Sequence, residues 1–247
     1  MKNATRILTV AIALSALALA SPALATNFWT DSFTYADGGL VAVSGGNWVN
    51  HSGTVGTPDI QVISGKAVVS MLNSWDDNRG FPPRTATDKT YACFRFMLPN
   101  PGGNPSLGYF AHFKDAGTFN FVSRVYVAPI SGAFTLGLSV GSFTGTPPLW
   151  PATLTYGQWY TVVTSYDAFT GTAEMWIDPV NQASQKITHV DATKAGFLVQ
   201  AYALRQFTGN WIGNIDDLGV GTSFEDACFV PVPVQTSTWG NLKGIYR

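Results

Sequence analysis

Charged residues are scarce in this sequence: they make up 12% of 247 residues, about half the usual share of a soluble domain. Lys+Arg number 14 against Asp+Glu 15, a formal net charge of −1. No basic stripe is present to displace counterions from phosphates, which excludes a nucleic-acid partner. The charge runs of disordered chains are missing too. Glutamate occurs twice, at Glu174 and Glu225, and histidine three times, at His51, His112 and His189, far apart. With no Cys-x-x-Cys pair either, a zinc site of ordinary spacing is excluded. The Gly-x-Ser-x-Gly, His-Glu-x-x-His and phosphate-loop signatures are also absent. Past the leader, no apolar run approaches the roughly 18 residues that suggest a membrane-spanning helix.

What is abundant is aromatic side chains (13%), glycine (25) and proline (14), the make-up of a β-rich, turn-rich exported protein. The first residues read as its address. Lys2 and Arg6 precede an apolar run over residues 7–20, and Ala23 and Ala25 fit the small-x-small cleavage rule, so residues 1–25 read as a signal peptide cut after Ala25. The expected location is secreted, extracellular or cell-surface. An oxidising compartment leaves two readings for Cys93 and Cys228: a disulfide, or two buried thiols.

Period-two alternation runs through the rest. Phe134, Leu136, Leu138 and Val140 alternate with small or polar residues; Ala92, Phe94, Phe96 and Leu98 place Cys93, Arg95 and Met97 on the opposite face. Further strands are expected over residues 66–71, 120–128, 159–166, 173–177, 197–206 and 212–220, separated by Gly- and Pro-rich turns. About a dozen amphipathic strands bury one face each most simply as two packed antiparallel sheets. The expected architecture is an all-β, two-sheet antiparallel jelly-roll sandwich over residues 26–229, followed by a Pro-rich spacer and short tail over 230–247.

Several strings, taken together, resemble the concanavalin A-like (laminin G-like) jelly-roll superfamily in its secreted bacterial branch. They are residues 31–40 with Gly46, Trp48 and His51; 109–114 with 124–127; 157–163 with Tyr166 and Asp167; 174–179; 202–206; and 214–222. The resemblance spans roughly residues 27–228 and implies the fold. It leaves function open among lectins, polysaccharide-binding modules, glycan-cleaving enzymes and adhesion domains.

Hydrolytic members need two carboxylates about 5–5.5 Å apart for retention. The nearest approach here is Glu174 and Asp178, on one strand face with Trp176 but about 13 Å apart, which reads as the solvated face of an edge hairpin. Lyase members pair His and Tyr with Gln and Arg; Tyr109 and His112, three apart, are expected on opposite faces. No catalytic residue is assigned. Binding is the stronger expectation, to a polysaccharide or cell-surface glycan through exposed rings beside polar groups. Trp75 and Trp150 fall in loops, and Trp75 is followed by Asp76, Asp77 and Arg79, the composition of a sugar-binding rim; Arg79 can equally pair with Asp77. A structural calcium ion is a further candidate, with Asp31 meeting Asp216 or Asp217 if the first and last strands are neighbours; otherwise Arg205 is a partner for the latter two. In the tail, Trp239, Leu242 and Tyr246 form a stripe at helical spacing, suited to docking on a partner or to packing back on the sandwich. The alternative to a glycan-binding module is a structural protein that self-associates.

Overall fold

The computed structural model of the chain describes residues 26–53, 57–142, 145–207 and 209–228. The leader and the tail stripe of Trp239, Leu242 and Tyr246 lie outside them. Strands are numbered in chain order. The nine-stranded sheet runs β13 (Ile187–Val190), β12 (Thr172–Ile177), β11 (Trp159–Asp167), β7 (Lys89–Met97), β15 (Ile212–Gly221), β5 (Ala67–Ser70), β4 (Gln61–Val62) and β2 (Gly38–Gly39), with β1 (Asn27–Asp31) also beside β15. The six-stranded sheet runs β10 (Ala133–Ser139), β9 (Phe121–Ile130), β8 (Gly108–Lys114), β14 (Ala201–Leu204), β6 (Trp75–Gly80) and β3 (Val49–Gly53). Neighbours in both sheets are antiparallel.

One core lies between the sheets, and alternation supplies it. β7 turns Ala92, Phe94 and Phe96 inward, while β10 contributes Phe134, Leu136 and Leu138. Phe96 stacks on Phe110 of the facing sheet with ring centroids 4.5 Å apart. Each such buried side chain contributes about 1.5–3 kcal/mol.

The other face of β7 has its own cover. Tyr91 and Cys93 form a small cluster with Val163, Trp176 and the short helix α2 (Phe224–Cys228; α1 is the single turn Leu40–Val43), outside the main core. Cys93 and Cys228 are joined in a disulfide. Closing a loop of 135 residues stabilises the fold by about 4–5 kcal/mol in the chain-entropy account. The expected solvated face of the β12 hairpin is therefore corrected. Trp176 is buried with its ring 5.4 Å from that of Phe224, and Glu174 is buried between Lys89 and Lys186. Helix α2, a single turn at the chain's described end, carries no strong periodicity and was not foreseen.

Candidate ligand-binding face

The polar stretch 73–80, expected as a loop, contains strand β6. Arg79 pairs in register with Tyr202 and Asp77 with Leu204, both core residues, so Asp77 and Arg79 point inward while Asp76 and Asn78 point outward. Asp77 is fully buried; its Oδ2 accepts the Ile60 N–H at 3.2 Å and its Oδ1 has no partner among the described residues. Burial first, then the charges of Asp59 and Asp76, push its pKa up to about 8. Arg79 pairs not with Asp77 but with Asp31, at 3.0 Å, and lies over the Trp29 ring.

Asp31 is the centre of that inner network. Its carboxylate also accepts from the Phe33 N–H (2.9 Å), the Tyr35 hydroxyl (2.8 Å) and the Trp48 indole N–H (2.7 Å). The first and last strands are indeed neighbours, with Asp31 opposite Leu218. The carboxylates nevertheless do not converge: Asp31 points into this network, whereas Asp217 lies at an irregularity in β15 and reaches out to Arg95 at 3.8 Å rather than to Arg205. Asp216 likewise accepts the Asp217 backbone N–H. Among the described residues, no group of three His, Cys, Asp or Glu side chains is placed to hold a metal ion.

Trp150 is 8% exposed and belongs to the core, its ring turned inward. Trp75 lines a cleft of about 330 Å³ together with Asn50, Pro58 and Asp59. Its indole N–H is buried without a partner among the described residues. Asp76 faces outward and is held by the Gln206 N–H (2.8 Å) and the Ser52 hydroxyl (2.7 Å).

A second constellation, on the outer face of the six-stranded sheet, was not foreseen. Both Phe110 and Ala111 face the core, because the β8–β9 register shifts between Tyr109 and Ala111. Such a bulge breaks the parity of alternation. Tyr109 and His112, expected on opposite faces, therefore share one, with ring centroids 5.6 Å apart. Strand β9 does the same. Val122 lies in the core, and Ser123, at φ +53°, turns its hydroxyl inward to the Ser165 carbonyl, so Phe121 and Arg124 meet on the outer face. His51, at a third irregularity in β3, brings its ring to 6.0 Å from His112 and 5.7 Å from Phe121.

The middle of this face is dry and cationic. His112 is fully buried beneath Phe121, 4.2 Å away between ring centroids, and neither of its nitrogens has a partner among the described residues. Burial, then the charges of His51, Arg124, Arg205 and Lys114, hold its pKa well below the usual histidine value. His51 is pushed down to about 4 by burial and by Lys114; the Thr118 backbone lies near it without a hydrogen bond of normal geometry. Beside them opens a cleft of about 460 Å³, lined by Tyr109, Tyr126, Arg124, Arg205, Ser142 and Phe207. The Tyr126 hydroxyl is fixed against Ser139, 3.1 Å away, and Phe207 stands at the rim, 51% exposed.

No protein-family model matches the chain, and no curated protein matches it. Solved structures do. The CBM2 module of the evolved Dit of Lactobacillus casei BL23 phage J-1 is similar over 80% of this chain and 96% of its own, at 8% identity and a TM-score of 0.53. The fold is a two-sheet antiparallel jelly-roll sandwich. Two lectins follow at 14% identity, each covering 81% of this chain and 98% of its own: basic winged bean lectin with Tn-antigen, TM-score 0.47, and lectin II from Ulex europaeus, TM-score 0.49. At 8% identity, the likeness to the CBM2 module shows architecture alone.

Proposed function

We propose that this chain is an exported, non-catalytic glycan-binding jelly roll, and that its site is the outer face of the six-stranded sheet. The observation that carries the reading is the open cleft of aromatic rings and planar cationic donors around Tyr109. Sugars offer hydroxyls and an apolar face, and sites for them combine rings with a few well-placed polar groups. Export is supported by the leader pattern of residues 1–25 and by the disulfide; no helix among the described residues is long and apolar enough to cross a membrane. The absence of a catalytic role is supported by Asp76, whose carboxylate is held by two hydrogen bonds, and by His112, shielded from solvent.

One observation favours a second reading, glycan cleavage: Tyr109 and His112 share a face, a hydroxyl beside an imidazole kept neutral. The Trp75 cleft remains a second candidate surface. Affinity electrophoresis through gels carrying a panel of polysaccharides tests these alternatives. Retardation lost in Tyr109→Ala and kept in Trp75→Ala supports the proposal; the reverse pattern moves the site to the Trp75 cleft. Release of reducing ends or unsaturated sugars, abolished in His112→Gln, establishes cleavage. No retardation on any polysaccharide, with self-association in solution, favours an assembly role.

A further inference from the structure

The same cleft carries a charge imbalance that narrows the ligand class, an inference that rests on the glycan-binding reading. Arg124 comes from β9 and Arg205 from the residue after β14, yet both guanidinium groups lie against one ring: their carbons are 4.8 and 4.0 Å from the Tyr109 centroid. The salt bridges of the described residues involve Arg79, Arg84, Lys89, Arg95 and Lys186, so neither cleft arginine has an ion-pair partner among them. The carboxylate that acts on Arg205 is Asp76, already engaged by Gln206 and Ser52. Arg205 donates instead to the Tyr109 and Phe207 carbonyls, both at 3.4 Å, which orients its fork without neutralising it. The Nε of Arg124 is buried without a partner among the described residues.

Two like charges held this close raise each other's energy unless an anion sits between or beside them. Burial chiefly, and Arg124 to a smaller extent, lower the Arg205 pKa, although a guanidinium stays protonated. Tyr109, meanwhile, is engaged by cations, so its ring is a poor platform for stacking a neutral sugar. The chain as a whole gives no reason for the excess: its net charge is −1, and −3 once the leader's Lys2 and Arg6 are removed. A basic cleft on an acidic protein is a local feature.

We propose that the cleft recognises the anionic group of an acidic polysaccharide, a carboxylate or a sulfate ester, with Arg124 and Arg205 as its forked donors. Tyr109 is a positioning residue that holds the two guanidinium groups together.

The test is affinity electrophoresis of the full protein through gels containing polygalacturonate, dextran sulfate or unmodified dextran, at low and moderate salt. The expected result is retardation by one of the two polyanions, weakened by salt. It falls at least tenfold in Arg124→Gln, recovers in part in Arg124→Lys and is unchanged in Arg95→Gln on the opposite sheet. Which polyanion retards the protein identifies carboxylate or sulfate as the source of charge. Retardation by unmodified dextran, indifferent to salt and to Arg124→Gln, overturns the anionic inference and leaves the glycan reading standing. Equal weakening by Arg95→Gln shows attraction to total charge and also overturns it. Migration unaffected by all three polysaccharides contradicts both.

Discussion

The two outer faces of this sandwich are built from the same alternating strands and treated in opposite ways. On the nine-stranded sheet, the chain covers itself: α2 lies over Tyr91, Cys93 and Trp176, the disulfide fastens it, and Glu174 is matched by two lysines. The hollow beside it is larger, about 660 Å³, but its cation Arg95 is met by Asp217 and the Trp159 ring. On the six-stranded sheet no described element covers the cleft; among the described residues neither cleft arginine has a carboxylate partner and neither His51 nor His112 a hydrogen-bonding one. Buried polar groups are normally satisfied within the fold. On the reading proposed above, the unmatched groups of this face await a ligand, and unmatched charge is then a better guide to the site than cavity size.

The sharpest way to break this contrast is to uncover the sealed face. Replacing Cys93 and Cys228 together by alanine removes about 4–5 kcal/mol, a fall in Tm of about 10–15 °C for a domain of this size, measured by calorimetry. Polysaccharide retention well below the new Tm should be unchanged; its loss would mean the faces are not independent. Glu174→Gln is next. It leaves Lys89 and Lys186 facing each other, and destabilises by about 2 kcal/mol after discounting for the partial exposure of the lysines, read from urea unfolding. The lysines' hydrogen bonds hold the Glu174 pKa below its ordinary value despite the opposing effect of burial. Its stabilising contribution is therefore present above the unfolded pKa near 4.5, and is lost as pH falls through the lower folded value.

The open face responds to acid with the opposite chemistry. His112 is held neutral by burial, so its folded pKa lies below the unfolded 6.5. Its contribution is intact above pH 6.5, and as pH falls the unfolded state takes up a proton that the folded state refuses. His112→Phe abolishes that titration. Relative to the wild type, the variant should gain about 2 kcal/mol between pH 7 and pH 5, at about 1.4 kcal/mol per pH unit below 6.5. Asp76 and Asp77 titrate in both proteins and largely cancel from the difference; a gain independent of pH would show that His112 is solvated or paired. The smallest stability effect belongs to Arg124→Gln, within about 1 kcal/mol, because its charge meets the rings of Tyr109 and Phe121 and no carboxylate among the described residues. A large loss would show Arg124 to be part of the scaffold.

The sandwich was legible in the sequence because its signal is local and repeated: Ala92, Phe94 and Phe96, or Phe134, Leu136 and Leu138, announce a buried face at every second position. A disulfide was one of two readings of Cys93 and Cys228, made available by an oxidising compartment; its pairing across 135 residues comes from the structure. The candidate site was not legible, for two physical reasons. Bulges in β8 and β9 each insert one residue, which reverses the assignment of every later side chain on the strand, so Tyr109 and His112 were read onto opposite faces. The adjacent core residues Phe110 and Ala111 were the available hint. Arg205 and Tyr109, in turn, are 96 residues apart, and only the neighbouring of β14 and β8 unites them. Strand β6 was hidden by composition: its inward residues are charged, and their partners Asp31 and Ile60 come from elsewhere in the chain.

Backbone amide chemical shifts, followed while an oligosaccharide fragment of the retaining polysaccharide is titrated in, test the central claim most directly. The account predicts shifts concentrated at residues 108–112, 124–126 and 205–207, with the surroundings of α2 unmoved. Shifts confined to the Trp75 cleft, or to the nine-stranded sheet around Arg95 and Asp217, would contradict it.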